Sequence, residues 1–409
     1  MRLQLALRLS GSLIAFAVVL AAPLVAQAQV SVTTTNTVYR ESGGGLDSTA
    51  VTPSLRIKGT IQDRVTLRAG WEADVVSGAS VAVVDAPGGS GVDAITSATE
   101  WSDFRNTATA GFGVKSDFAT LEGSYTYGTE SDYRSHSFSL TASAELFERN
   151  TTFSLTYGRG FDSVCNLAQP RAQEAVDRQR LPGSDGCFDD EAEDREELDL
   201  ALHTFQGGWT QAWAPVFVTQ LVLTAQVLNG YQGNPYRAVW LGRTAAQENH
   251  PDNRTRYAAG LGMRFWVAPL AGAFQLFGRV YRDTWDVKSI TAEAAWEQRV
   301  LEGFTLRARV RYYNQTGAAF YSDDYVRFPR GQYFTGDREL SPMSSWLVGG
   351  HVAYDVPPGE DGSVGPFAGF VILAKFDWVK YDFRDFRYGT VSVPNDRAIV
   401  ATLGMEASF

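Results

Sequence analysis

Only two cysteines, Cys165 and Cys187, and four histidines occur in the 409 residues. There is no C-x-x-C and no C-x-x-C-H, so neither a thioredoxin-type site nor attached haem is indicated. His136, His203, His250 and His351 belong to no H-E-x-x-H, and no G-x-S-x-G nucleophile elbow is present. Distant histidines and acids can still meet in a fold, but the local signatures of an enzyme are missing, and none is expected. No cofactor motif appears either. An excess of positive charge is also lacking: 36 Lys and Arg face 46 Asp and Glu, a formal charge of -10. That balance argues against a nucleic-acid partner.

Long apolar runs are absent as well. The longest, residues 13–25, falls short of the roughly 18 residues a spanning helix needs. It follows Arg2 and Arg8 and leads into Ala26-Gln27-Ala28, the layout of an export signal with an A-x-A cleavage site. Residues 1–28 are therefore expected to be a signal peptide and residues 29–409 a single domain. Without Arg2 and Arg8 the remaining chain is about two charges more negative. Any membrane crossing must be made by strands. No fixed-period repeat marks a solenoid or propeller.

What the chain has in abundance is glycine (39) and aromatic residues (12%), at a mean hydropathy of only -0.17. A transmembrane barrel produces that mixture, because only alternate residues meet lipid. Side chains of a strand point alternately to opposite faces, and the period-2 rhythm recurs sixteen times. The expected strands are 30–41, 49–62, 65–76, 106–115, 118–129, 133–147, 151–161 and 200–212, then 216–229, 254–267, 273–283, 287–299, 304–320, 343–356, 366–378 and 396–409. Connections after even-numbered strands are mostly brief, and those after odd-numbered strands are often long. An even count puts both termini on one side. The expected fold is thus all-β, a 16-stranded antiparallel up-and-down transmembrane β-barrel with short periplasmic turns and long extracellular loops. Aromatic residues near strand ends suit two headgroup belts, with Tyr127, Tyr133 and Phe161 on one side and Phe118, Phe147, Trp213, Phe265 and Phe304 on the other.

The end of the chain supports closure. Ile399, Ala401, Leu403, Met405, Ala407 and Phe409 share one strand face. A strand that stops on an aromatic residue would be an open template for aggregation unless its edge were paired. In lipid, closure onto the first strand is obligatory. Phe409 in this setting also resembles the terminal residue of bacterial outer-membrane barrels, which is the address read by the barrel-assembly machinery. That resemblance implies the bacterial outer membrane, with its lipid and lipopolysaccharide, as the location.

If apolar faces meet lipid, the opposite faces line the lumen. Arg307, Arg309 and Arg311, at i, i+2 and i+4, must then share the lumen face. Glu293, Glu297 and Arg279 join them from the two preceding strands. A second group comprises Arg56, Lys58 and Arg68, beside Glu72 and Asp74. Two readings stay open for these residues. One is a charged eyelet that draws anionic solutes; the other is a ladder in which the arginines pair with Glu293 and Glu297. Cys165 and Cys187 fall in the longest expected loop, 162–199, where an intraloop disulfide is expected in an oxidising compartment. The acidic tract 189–199 in that loop lacks the ligand order of an EF-hand and reads as a solvated run rather than a metal site.

Several strings resemble, as a set, the bacterial family called domain of unknown function 3570: YRESGGGLDSTAVTPS (39–54), ADVVSGAS (73–80), VDAITSAT (92–99), YGTESDYRS (127–135), NGYQGNPYR (229–237), YRDTWDV (281–287) and RYYNQTGAAFY (311–321). Val81 is a departure, since the resemblance leads one to expect proline there. The resemblance implies an outer-membrane barrel without assigned catalytic residues, encoded near flavin-transfer and other extracytoplasmic redox proteins. Two functions follow as expectations. The first is a porin-like channel or transporter for small polar or anionic solutes. The second is a non-conducting scaffold for a periplasmic redox partner.

Overall fold

A computed structural model gives the structure of the protein, and it describes residues 28–43, 46–78, 102–130, 132–167, 195–234, 238–240, 245–325, 327, 330–359, 362–388, 391–392 and 395–409. Sixteen antiparallel strands form one closed barrel. In chain order these are β1 (Ala28–Gly43), β2 (Leu46–Ile61), β3 (Val65–Gly78), β4 (Ser102–Lys115), β5 (Ala119–Thr129), β6 (Tyr133–Leu146), β7 (Thr151–Leu167), β8 (Arg195–Ala214) and β9 (Phe217–Gly230). A small hairpin, β10 (Ala238–Trp240) and β11 (Ala245–Gln247), stands apart from the barrel. The wall continues with β12 (Asn253–Val267), β13 (Gly272–Asp283), β14 (Lys288–Leu301), β15 (Phe304–Gln315), β16 (Met343–Asp355) and β17 (Gly369–Phe383). A second hairpin, β18 (Arg387–Tyr388) and β19 (Val391–Ser392), precedes the last wall strand, β20 (Asn395–Ser408).

Closure lies between β1 and β20, which pair from Ser31 with Ser408 to Gly43 with Asp396. Phe409 extends the ladder, its amide donating to the Val30 carbonyl at 2.8 Å. Both edges of the sheet are thereby removed, and their N–H and C=O groups are satisfied.

Alternation sorts the wall into two faces. One carries large apolar side chains in the open, among them Leu67, Phe138, Leu155, Val280 and Leu403, at 49% or more relative exposure. The other carries hydroxyls, glycines and charges. Because directly opposed residues share a face, the register extends the polar face around the ring. Thr109 and Thr126, Ser124 and Ser139, and Thr141 and Thr156 meet there through hydroxyl hydrogen bonds of 2.7 to 3.1 Å.

Several expected boundaries shift, each for a local reason. β15 ends at Gln315 rather than at residue 320. The Gln315 amide donates to the carbonyls of Glu339 and Ser341, at 2.6 and 2.7 Å, and turns the chain off the wall. β7 runs to Leu167 and β8 begins at Arg195, so Cys165 is a buried strand residue and the acidic tract enters β8 at its C-terminal part. Cys187, residues 189–194 and the expected signal peptide up to residue 27 lie outside the described residues. Tyr133 is not a belt residue. It falls in the polar phase of β6 and donates from a buried position to Asp162 at 2.5 Å. At the short-turn end, Phe118, Phe147 and Trp213 do stand exposed.

The β1–β20 seam is testable with one directly opposed pair, Thr37 and Thr402, whose hydroxyls are 3.0 Å apart. Thr37→Cys with Thr402→Cys, in a background with Cys165 and Cys187 changed to Ser, is expected to oxidise to one intramolecular disulfide. That product migrates differently from the reduced chain after boiling in detergent. Failure to cross-link in folded protein contradicts the closure.

Candidate functional site

The densest polar chemistry lies on β14 to β17. On β15 the alternation places Arg307, Arg309 and Arg311 between Leu306, Ala308 and Val310, which point the other way. At about 3.3 Å of rise per residue the three guanidinium groups climb the wall over roughly 13 Å. Glu293 of β14 meets all three, with contacts of 3.5 Å to Arg307, 3.6 Å to Arg309 and 2.8 Å to Arg311. Arg309 also makes a two-pronged contact with Asp377 of β17, at 3.0 and 2.8 Å. Lys375 reaches the same carboxylate at 3.1 Å.

Arg309 and Asp377 are separated by a whole strand, and Gly349 of β16 is the reason they can touch. A Cβ at Gly349 would stand 2.1 Å from the Asp377 Oδ1 atom. The missing side chain is the gap through which the ion pair forms. The same device recurs on the other side of the barrel. Arg68 of β3 forms an ion pair with Glu122 of β5 across β4, where the register sets Gly111 opposite Arg68 and Gly113 opposite Glu122.

The residues expected from the sequence are thus largely brought together. Arg307, Arg309, Arg311 and Glu293 form one cluster. Glu297 stands opposite Arg307 in register and accepts from the Gln275 amide at 3.4 Å. Arg279, on β13, lies 5.6 Å over the Tyr281 ring. Arg56 meets Glu72 at 3.6 Å, whereas Arg68 turns instead to Glu122. Lys58 is exposed and sits directly opposite Arg68. Sequence reasoning passed over His351, Lys375 and Asp377, although each holds a polar-phase position on its strand. Their relevance needed the register of β15 against β16 and of β16 against β17.

A second polar centre is built by connections rather than by the wall. The described residues of the connection between β15 and β16 (316–325, 327 and 330–342) pack against strand ends that are remote in sequence. Trp285, Val287, Ala318 and Leu340 form a buried apolar cluster, joined by Phe320 and Tyr321. The Tyr321 hydroxyl donates to the Asp385 carbonyl at 2.6 Å. Arg338, 5% exposed, binds Glu41 of β1 at 2.7 Å and Asp396 of β20 at 2.9 Å. Its guanidinium also lies 5.3 Å over the Phe383 ring, and Tyr39 donates to the same Glu41 at 2.9 Å. Asp283 anchors the neighbouring connection. It accepts from Arg254, from the Tyr281 hydroxyl at 2.7 Å, and from the amides of Trp285 and Val287 at 2.9 and 3.0 Å.

The 316–342 connection is also tied to the one before β12. Asn249 and Phe334 exchange backbone hydrogen bonds of 3.0 and 2.9 Å. The Thr335 hydroxyl donates to Glu248 at 2.7 Å. His250 is buried between Glu248, 3.3 Å away, and the rings of Trp285 and Phe320. Burial alone would push its imidazole pKa down. The charge and hydrogen bond of Glu248, with Asp337 and the Gln232 carbonyl, outweigh that and hold it above the ordinary value. Tyr325, also in this connection, is pushed up to about 12 by burial. The remaining histidines lie elsewhere: His136 and His203 meet Tyr125 and Tyr157 on the apolar face at 2.7 and 2.9 Å. Among the described residues, no three His, Cys, Asp or Glu side chains are grouped so as to hold a metal.

The sequence profile of a family described as proteins of unknown function (DUF3570) matches residues 10–365. The chain belongs to this family. The matched span runs through every wall strand from β1 to β16. No curated protein matches. Solved structures with some likeness include the outer membrane protein OprD from Pseudomonas aeruginosa, at 8% identity over 93% of this chain and 94% of that one, with a TM-score of 0.42. Pseudomonas aeruginosa OccK2 (OpdF) in complex with glucuronate has 8% identity over 93% and 98% of the two chains, at a TM-score of 0.42. A bacterial polysaccharide outer membrane secretin has 10% identity over 94% and 98%, at a TM-score of 0.48.

Two outcomes check this geometry. Arg338→Met leaves Glu41 and Asp396 buried without their cation and is expected to cost about 3–5 kcal/mol of stability. Adding Glu41→Gln and Asp396→Asn is expected to return most of it, as read by urea titration of folding into vesicles. For His250 the sign follows from a folded pKa above the unfolded one: its contribution is complete below the unfolded imidazole value and is lost as pH rises through the folded one. Protection from hydrogen exchange at 245–250 and 333–337, taken relative to the unstructured rate at each pH, is therefore expected to be high at acid pH and to fall above about pH 6.5. In His250→Gln that pH step is expected to disappear.

Proposed function

We propose that this family member is an outer-membrane, porin-like channel whose polar face is the wall of an aqueous lumen. The observation that carries the reading is the pair of ion bridges that skip a strand, Arg309 to Asp377 and Arg68 to Glu122. Side chains two strands apart converge on the concave side of a curved sheet and diverge on the convex side, so these bridges favour the inside. The exposed apolar residues on the opposite face then meet hydrocarbon, as a spanning barrel requires. Sixteen strands enclose a width that side chains of the wall do not fill.

On this reading residues 316–342 lie over the end of the lumen at which the connections are long, and narrow it. The arginine face, with Lys58 and Arg279, favours small polar or anionic solutes. Residues 1–28 serve as the export signal and Phe409 as the assembly address, with the short turns on the periplasmic side. A Cys165–Cys187 disulfide fastens the longest loop.

Planar-bilayer recording of the purified barrel tests the channel. Stepwise openings that scale with salt, with a reversal potential displaced toward the anion under a salt gradient, are the expected result. The stable triple variant Arg338→Met, Glu41→Gln, Asp396→Asn is expected to conduct more, because its mouth loop is held less firmly. A barrel that folds and stays silent rejects the reading.

A further inference from the structure

Arg307, His351 and Lys375 stand directly opposite one another on three adjacent strands, Arg307 against His351 and His351 against Lys375. Opposed side chains in an antiparallel ladder have Cβ atoms about 4.5–5.5 Å apart, so the His351 ring is flanked on each side by a cation. The charge of these cations is only partly balanced by the surroundings. Among the described residues, the cations Arg307, Arg309, Arg311 and Lys375 stand with the carboxylates Glu293, Glu297 and Asp377. Those carboxylates are spoken for unevenly. Asp377 is taken by the two-pronged Arg309 contact and by Lys375. The shortest contact of Glu293 is to Arg311, and among the described residues Arg307 has one ion contact, at 3.5 Å, with Glu297 opposite it in register. The Nε atom of Arg307 is buried and has no hydrogen-bond partner among the described residues. A buried donor without an acceptor is destabilising. A guanidinium is also built to grip a planar or tetrahedral oxyanion through two parallel donors.

We propose that Arg307, His351 and Lys375 form a binding row for a small oxyanion, a carboxylate or a phosphate. The anion takes hydrogen bonds from the Arg307 guanidinium, the Lys375 ammonium and the imidazole between them, with Glu297, opposite Arg307, bounding the site on its β14 side. The neighbouring pairs shape the site without competing for it. Arg309 and Arg311 are held back by Asp377 and Glu293, so their charge reaches the anion as a field rather than as contacts. As a station in the proposed lumen the row rests on the channel reading, and it deepens that reading by naming what passes. It lies near the short-turn end of β15, three residues beyond Phe304, so a solute would meet it after the mouth loop.

The test uses the full-length mature barrel and inorganic phosphate, with acetate as the carboxylate arm and chloride at matched ionic strength as the reference. In planar bilayers, phosphate is expected to reduce the chloride current of the wild type in a saturable way. Arg307→Gln with Lys375→Gln is expected to weaken that block by about tenfold or more, and His351→Gln by less. In parallel, phosphate is expected to raise the melting temperature of the wild type in detergent and not that of the double variant. Glu293 and Asp377 keep arginine partners in that variant, so its melting temperature in chloride is expected to equal or exceed that of the wild type. Acetate acting where phosphate does not identifies a carboxylate site, and the reverse a phosphate site. Block and melting shift undiminished in the double variant overturn the proposal, as does a wild type indifferent to both oxyanions. A barrel that carries no current but still shows the variant-sensitive melting shift rejects the channel and keeps the row.

Discussion

A sheet that must leave no edge unpaired constrains everything else in this molecule. Joining β1 to β20 satisfies the last free row of backbone donors and acceptors. It also commits each residue to one of two surfaces with no third choice. Apolar side chains gather on one of them. Charged groups on the other can find partners only among themselves and among whatever connections fold over the same face. The ion-pair architecture of β14 to β17 and the seating of residues 316–342 are both consequences of that confinement.

Glycine placement shows how the wall accommodates this crowding. Gly349 opens a passage between neighbouring strands, and Gly303, with φ at +75°, lets the chain reverse tightly between β14 and β15. A side chain at Gly349 would close the path from Arg309 to Asp377 and leave two buried charges apart. The electrostatic map of the wall is therefore drawn partly by residues that carry no charge.

Much of the barrel was legible from the chain alone, because period-2 alternation is a local property. The strand count, the pairing of the final segment with the first and the common face of Arg307, Arg309 and Arg311 all follow from it. What escaped depends on register and on tertiary contact. Alternation tells that Lys375 and Asp377 share a face, but not which arginine lies two strands away. Residues 316–320 continue the strand rhythm, yet Gln315 binds the Glu339 and Ser341 carbonyls and the chain leaves the wall there. Tyr133 looked like an interface aromatic until its phase with Ser135 and Ser137 set it beside Asp162. Arg338 carried no signal at all, since its carboxylates are supplied by the two ends of the chain.

That last contact has an implication for the order of events in the molecule's making. Glu41 belongs to the first strand to emerge and Asp396 to the last, so the anionic pocket for Arg338 comes into being only when the seam zips. Until then Arg338 lacks both of its carboxylates, and the connection after β15 is held by its contacts to Trp285, Val287 and Glu248. Closing the wall and seating Arg338 are thus one event, and a chain whose two ends have not met lacks the last anchor of that connection.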